Sequence, residues 1–388
     1  MIKFFTAGES HNKAIAVFLE GIPAGVKITL EKIKEELVRR KKSYGRGERQ
    51  SFEEDKIEII SGIRYGESIG SPICVLVYNK DYRENDFIKR DNSYQPLTTP
   101  RPGHADFTGA LKFLRNDLKD ISERSSARET VGRVVAGSIC KQFLENFDIF
   151  IGSFVVKIYK IKFTQNYITT NKNLLLKFHN LAEKSIVRFP DKKEEKRIIE
   201  LIDKTKKNKD TIGGDFLVFA IGVPIGLGSY SQWCDRLNAK ISYYLFSIPA
   251  IKSVQIGLGE KYSDYYGSEV HDEIFYSSKN NFYFYRKTNN AGGIEGGISN
   301  GQPIIIKCSM KPIPTLYEPL NSVDINTKKP SKADVLRSDI CAVPSCSVVA
   351  ESMLAICLSN EMKIKFGGDS LKEIKQNYKN YLNLIKKF

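Results

Sequence analysis

Apolar positions along the chain recur with two periods. Leu30, Ile33 and Leu37 fall on one face of a helix predicted from Leu30 to about Lys41, with Thr29 placed to cap its start. Shorter apolar runs in "KIEIISGIRYG" and "SPICVLVYNK" predict two strands. Near the N-terminus such a run breaks off abruptly. In "FTAGESHNKAI" a strand ends in Gly8, Glu9, Ser10 and His11, where a buried strand would carry β-branched or aromatic residues. These four predict a turn that holds polar groups over a ligand.

Farther along, "YQPLTTPRPGHADFTGALKFLRNDLKD" passes from a proline-rich loop into a helix and sets Arg101 and His104 just before it. The segment "SERSSARETVGRVVAGSICKQFLENF" reads as a second helix. Its Ala127, Val131, Val134 and Val135 form a stripe of small and branched residues suited to close packing on another helix. From about 166 to 209 the chain is polar and lysine-rich, the pattern of a solvated, mobile stretch. Apolar and glycine content returns in "TIGGDFLVFAIGVPIGLGSY". No internal repeat and no linker divides the chain, so a single domain over 1–388 is expected. Strand signals at both ends with helices between them predict an α+β architecture instead of a doubly wound βαβ sheet.

Composition changes this picture little. The 388 residues are 41% hydrophobic and 27% charged, an ordinary globular balance. No uninterrupted run approaches the roughly 18 apolar residues that span a bilayer. The N-terminus lacks a charged leader followed by a long apolar stretch, so a cytoplasmic location away from membranes is expected. Seven scattered cysteines without a C-x-x-C pair predict reduced thiols, and no metal site is expected.

Charge is more informative. With 60 basic and 45 acidic residues the net charge is +15, which admits nucleic acid, a membrane surface or anionic small molecules as partners. Much of the lysine sits on what reads as solvated helix faces. Several arginines instead fall beside Gly, Ser and His in short motifs, which favours an anionic small molecule over nucleic acid.

Arg39, Arg40, Arg46 and Arg49 gather around the C-terminus of the first helix. Arg124 and Arg128 lie one helical turn apart with Ser125 and Ser126 beside them, an arrangement that suits a phosphate. The plainer alternative is a set of salt bridges, such as Glu129 with Arg133. Between 292 and 302 five glycines require the backbone to approach something closely, although no P-loop or dinucleotide fingerprint fits. Of four histidines, His179 lies in the lysine-rich middle, while His11 and His104 sit in turns beside anion-binding residues. That pair points to general acid chemistry on a phosphorylated substrate. Arg337 and Asp339, two apart in "VLRSDICAVPS", would share a face in a strand and read as a structural ion pair.

Taken together and in order, "AGESH", "RR" followed by "YGRGER", "TTPRPGHAD", "RSSARET", "DTIGGDF", "GVPIGLGSY", "AGGIEGGISNGQPI", "KPIPTL" and "RSDICAVP" resemble the chorismate synthase family over nearly the whole chain. The resemblance implies a β-α-β sandwich with helices packed between antiparallel sheets, assembled as a homotetramer. It implies a lyase that removes phosphate and a ring hydrogen from 5-enolpyruvylshikimate 3-phosphate by 1,4-elimination, giving chorismate, the last step of the shikimate pathway. Reduced FMN is required without net redox change, and NADPH is the candidate flavin reductant. A flavin reductase using the same pocket is the competing activity.

By position, His11 matches the family histidine expected to protonate reduced flavin or departing phosphate, and His104 matches its partner. Asp339 matches the carboxylate that helps flavin accept the substrate hydrogen, and Ser10 the hydroxyl supporting it. Arg40 and Arg46 match positions for NADP and equally suit substrate, as does Arg49, while Arg128 matches a substrate contact. Arg124, Ser125, Ser126, Gly296, Arg337 and the run Lys311, Pro312, Ile313, Pro314, Thr315 match flavin contacts, as do Pro249 and Ala250 in a looser alignment. Three positions depart from the family pattern. Asn12 replaces a glycine and is expected in the left-handed region that Asn tolerates. Ser338 stands where many members have histidine, and Ser345 replaces an arginine common after "VP".

Overall fold

Two antiparallel sheets enclose a layer of helices in the computed structural model, which describes residues 1–46, 55–82, 87, 94–278, 284–335 and 338–388. The first sheet contains β1 (Lys3–Ala7), β2 (Ala14–Glu20), β3 (Lys56–Ser61) and β4 (Ile73–Tyr78) in the order β1-β2-β4-β3. Its period of two sets Ile15, Val17 and Leu19 opposite Val77, Val75 and Ile73, and all six are buried on the inner face. The second sheet contains β5 (Phe150–Ile158), β6 (Ile161–Lys162), β7 (Gly214–Ile221), β8 (Ile251–Ile256) and β9 (Ile304–Met310) in the order β8-β9-β7-β5-β6. The middle strand β7 is apolar almost without alternation because both of its faces are covered.

The longer helices among the described residues are α1 (Leu30–Lys41), α2 (Asp106–Phe113), α3 (Lys119–Ser125), α4 (Thr130–Leu144), α5 (Lys172–Glu183), α6 (Lys192–Lys207), α7 (Leu237–Phe246), α8 (Val343–Phe366) and α9 (Leu371–Ile385). Helix α4 lies on the first sheet, where a Cβ at Gly132 would meet Thr6, Val17 and Ile15. Helix α8 lies on β5 and β7 of the second sheet. The two helices press together so closely that a Cβ at Gly137 would sit 2.2 Å from the Ser352 Cβ. Of the predicted stripe, Val131, Val134 and Val135 are buried in this layer, but Ala127 is exposed because it falls in the 3-10 turn before α4. Helix α8 has 24 residues and is long and apolar enough to cross a membrane, but its apolar window is wholly buried in the core.

Local expectations are met unevenly. The predicted first helix runs over Leu30–Lys41, but Thr29 makes no side-chain cap, and its N–H donates to Gln142 Oε1 at 2.8 Å instead. The predicted second helix is not continuous: Ser126 adopts an extended conformation between α3 and a short 3-10 turn, Ala127–Glu129. The polar stretch at 166–209 is packed and helical. Leu175, Phe178 and Ala182 of α5, and Ile198 and Ile202 of α6, are buried, with Asn171 and Asp191 capping the two helices. All seven cysteines are free thiols.

Candidate active site

A cavity of about 890 Å³ opens where the ends of both sheets meet the helix layer. Its walls come from the turn after β1, the loop before α2, the break between α3 and α4, the segments flanking β8 and β9, and the start of α8. Two further hollows are smaller, at about 350 and 450 Å³, on the outer face of α5 and beside α1. The turn after β1 depends on Gly8, whose φ is +110° and where a Cβ would lie 2.3 Å from the Ala14 carbonyl oxygen. No other residue leaves the strand this way, and the result is that Ser10 and His11 reach the cavity.

His11 is gripped by Glu123 of α3. The Glu123 Oε2 accepts from the His11 backbone N–H at 2.9 Å, and its Oε1 lies 2.7 Å from Nδ1. The Glu123 carbonyl accepts from the Ser10 N–H at 3.1 Å. Burial pushes the Glu123 carboxyl up, but the bonds from His11 outweigh it and hold the group below its ordinary range. On the cavity side, His11 Nε2 faces Asp81 Oδ2 at 3.5 Å. Asn79 holds the other flank of the turn, its Nδ2 donating to the carbonyls of Glu9 and Asn12 at 3.1 and 2.6 Å.

His104 has a parallel arrangement. Its Nδ1 lies 2.5 Å from Asp106 Oδ1, while Arg101 clasps the same carboxylate through Nε to Oδ2 at 2.7 Å and Nη2 to Oδ1 at 3.0 Å. Asp106 is fully buried, which raises its carboxyl, yet His104 and Arg101 bring it to about 2. An ionised carboxylate only accepts, so Nδ1–H donates and Nε2 is the ring nitrogen left to the cavity. Arg101 also reaches Thr315 Oγ1 at 3.0 Å, tying this loop to the second sheet. Nearby, burial and the Lys252 ammonium both lower the Lys311 amine.

A third group of charges closes the cavity at α8. Arg46 Nε lies 3.0 Å from Asp339 Oδ2, and its Nη1 donates to Ser345 Oγ, which itself donates to the Arg40 carbonyl at 2.7 Å. Arg128 is buried and donates to Asn79 Oδ1 and Asp55 Oδ1, each at 2.7 Å. Burial raises the Asp55 carboxyl, but Arg128, Arg40 and Lys41 together lower it further.

The predicted residues divide clearly. Ser10, His11, Arg40, Arg46, His104, Ser126, Arg128, Pro249, Ala250, Lys311, Ile313, Pro314, Thr315 and Asp339 line the cavity, as does Ser338. Arg124 does not, because its guanidinium donates to the carbonyls of Gly8 and Thr6 at 2.9 and 2.8 Å. Ser125 bonds the Ile121 carbonyl at 2.8 Å. The break at Ser126 sends Arg124 and Arg128 apart, so they do not share one ligand as a continuous helix would require. Pro312 and Gly296, the latter in the turn of a short hairpin, are not among the lining residues. Arg49 and Arg337 lie outside the described residues. Asn12 has no positive φ, and its Nδ2 instead bonds Glu9 Oε2 at 2.7 Å.

Sequence reasoning missed Glu123, Asp106, Asn79 and Asp55. Glu123 and Asp106 stood inside or beside quoted motifs, one residue before Arg124 and two after His104. Asn79 and Asp55 carry no local signal.

The chorismate synthase family model matches residues 2–362. The chorismate synthase of Aquifex aeolicus is 46% identical over 396 residues, covering 100% of this chain and 99% of its own. That of Sulfurihydrogenibium sp. is 48% identical over 387 residues, covering 98% of each. A solved structure titled "Crystal Structure of Chorismate Synthase" superposes with a TM-score of 0.83 at 39% identity, covering 100% of this chain and 99% of that one. Full-length identity, the family model and the shared sandwich agree with the motifs that surround the cavity: the chain belongs to the chorismate synthase family.

Proposed function

We propose that the cavity converts 5-enolpyruvylshikimate 3-phosphate to chorismate by 1,4-elimination. One observation carries the reading. Two histidines line the same cavity, each anchored at Nδ1 by a buried carboxylate, with Arg46, Arg128 and Lys311 beside them. A substrate bearing carboxylates and a phosphate needs cations to bind it and a proton donor to let phosphate leave. The cavity volume, about 890 Å³, lies in the range of small-molecule sites.

The lining also fits FMN. Met310, Ile313, Pro314 and Val349 offer an apolar wall, and Lys311, Thr315 and Ser126 offer polar groups for a phosphate-bearing cofactor. Pro249 and Ala250 complete this side, and Arg337 is assigned to it by family position; Arg124, Ser125 and Gly296, given to the flavin by the same alignment, do not line this cavity. Bound there, reduced FMN would supply a reversible electron to the loss of phosphate, with no net oxidation.

The chain's own groups do the rest. Arg128 and Arg40 hold the anionic substrate, and the histidines protonate the phosphate as its carbon–oxygen bond breaks. Asp339, held by Arg46, receives the proton derived from the ring hydrogen, with the Ser10 hydroxyl in support. Arg40 and Arg46 are the positions assigned to NADPH as flavin reductant. A homotetramer is the assembly we infer from the family, and light scattering of the purified protein tests it.

An anaerobic assay decides the activity. With substrate and chemically reduced FMN, chorismate and phosphate should appear in equal amounts while the flavin stays reduced. Steady NADPH oxidation with free FMN and no chorismate under either condition would replace this reading with a flavin reductase.

A further inference from the structure

His11 sits on a turn with no strand partner of its own, so its orientation must be imposed from outside. Glu123 imposes it through three bonds. Its carbonyl accepts from the Ser10 N–H, its Oε2 from the His11 N–H, and its Oε1 meets the ring at Nδ1, at 3.1, 2.9 and 2.7 Å. The side chain is 8% exposed, and α3 is itself pinned to the same turn by Arg124, which donates to the Gly8 carbonyl at 2.9 Å.

A carboxylate that merely stabilised the turn would need only the backbone N–H. Here the second oxygen is spent on the ring, and neither oxygen can rotate to serve another partner without breaking a bond to His11. Because the ionised group is an acceptor only, the ring must donate from Nδ1. Its Nε2 then points to the cavity, where Asp81 stands 3.5 Å away.

We propose that Glu123 is a positioning residue of the elimination, holding Nδ1–H of His11 so that the imidazolium gives its Nε2 proton to the departing phosphate and the neutral ring left behind is the Nδ1–H tautomer. The proposal rests on the elimination reading for its effect on rate. Its structural content does not. The arrangement parallels the Asp106 clasp on His104, but there Arg101 shares the carboxylate, whereas Glu123 gives both oxygens to His11.

Nitrogen-15 NMR of imidazole-labelled protein tests it directly, since only four histidines contribute and His11→Gln assigns one of them. The wild-type His11 should show a protonated Nδ1 when neutral, and Glu123→Gln should populate the Nε2–H form. In turnover, Glu123→Gln should lower kcat by about tenfold or more, part of the about 10²-fold or greater effect of a general acid, with KM changed by less than about twofold. The double variant His11→Ala/Glu123→Gln should be no slower than His11→Ala alone, because Glu123 acts only through that ring. A wild-type Nε2–H tautomer, an unchanged kcat, or a double variant slower by the full factor of Glu123→Gln would each overturn the proposal. Should Glu123→Gln not fold, the wild-type tautomer decides alone. Absence of wild-type turnover would overturn the elimination reading, and the tautomer would still decide the place of Glu123.

Discussion

Arg39 and Arg40 are neighbours on α1, yet they belong to two different charge clusters. Arg39 enters a closed network, reaching Glu36 at 2.7 Å, Glu183 at 2.6 Å and Glu351 at 2.8 Å. Arg40 lines the cavity. At the centre of the closed network Glu351 is fully buried in α8 and also meets Lys141 at 2.6 Å and Arg188 at 3.1 Å. Burial raises its carboxyl, but Arg39, Lys141 and Arg188 overcome this and hold it well below the ordinary range. His179, Glu183 and Glu351 are grouped as metal ligands would be, but guanidinium groups already occupy both carboxylates. In one cluster each charge is answered by another, so it holds helices together. In the other, guanidinium and imidazole groups also pair with carboxylates, but they line the larger cavity, where a ligand can reach them.

Breaking the closed network should have the largest effect. Glu351→Ala removes the fully buried carboxylate that Arg39, Lys141 and Arg188 share, which costs about 3–5 kcal/mol by the usual penalty for breaking a buried ion pair. Urea unfolding measures it. A loss under about 1 kcal/mol would erase the distinction, placing this network among exposed pairs.

Acid should reveal the same network next. Burial raises the Glu183 carboxyl, but Arg39 and Arg188 bring it to about 2, against an ordinary 4.5. A folded-state value depressed in this way gives stability that is present above the unfolded value and is lost as pH falls through the folded one. Unfolding free energy should therefore decline between about pH 4.5 and about pH 2, and Glu183→Gln should flatten part of that decline. An identical acid slope in the variant would remove Glu183 from the network's contribution.

The cavity should respond in rate instead of stability. Removing the His104 ring still leaves Asp106 clasped by Arg101 through two bonds, so no buried charge is orphaned. His104→Ala should lower turnover by about 10²-fold or more, as loss of a general acid does, and shift stability by less than about 1 kcal/mol. Normal turnover in a folded variant would remove His104 from the chemistry. A large stability loss would show that the cavity cluster is structural after all.

The two clusters were unequally legible in the sequence. Local periodicity reached α1 to the residue, both strands at Lys56–Ser61 and Ile73–Tyr78, and the valine stripe of α4, because these depend on neighbours three, four or two positions away. It failed at Ser126, whose extended backbone breaks a predicted helix, and across α5 and α6, where the lysine-rich, polar character of the stretch masked the apolar residues that define the buried faces. Family motifs led to most of the cavity lining. They could not show that Arg39 leaves the cluster of its neighbours for Glu351, 312 positions away, or that Glu123 holds His11 across 112. Such partners are chosen by tertiary packing alone.

The smallest expected effect sharpens the comparison most finely. Asn12 stands where glycine is usual after the motif histidine, and its side chain bonds Glu9 Oε2 at 2.7 Å and the Lys13 N–H at 2.8 Å. Neither bond touches the groups that orient His11. Glu123 holds the His11 backbone and ring, and Asn79 holds the Glu9 and Asn12 carbonyls, which any residue at position 12 would supply. Asn12→Gly should therefore lose one or two exposed hydrogen bonds and add freedom to the unfolded chain, a combined cost of about 1 kcal/mol. Turnover should stay within about twofold of the wild type, since the ring keeps its anchors. A fall in turnover comparable to that of His104→Ala, with stability little changed, would mean that the turn orients His11 through its own side chains. The cavity would then be held from within, and the contrast with the closed network around Glu351 would weaken.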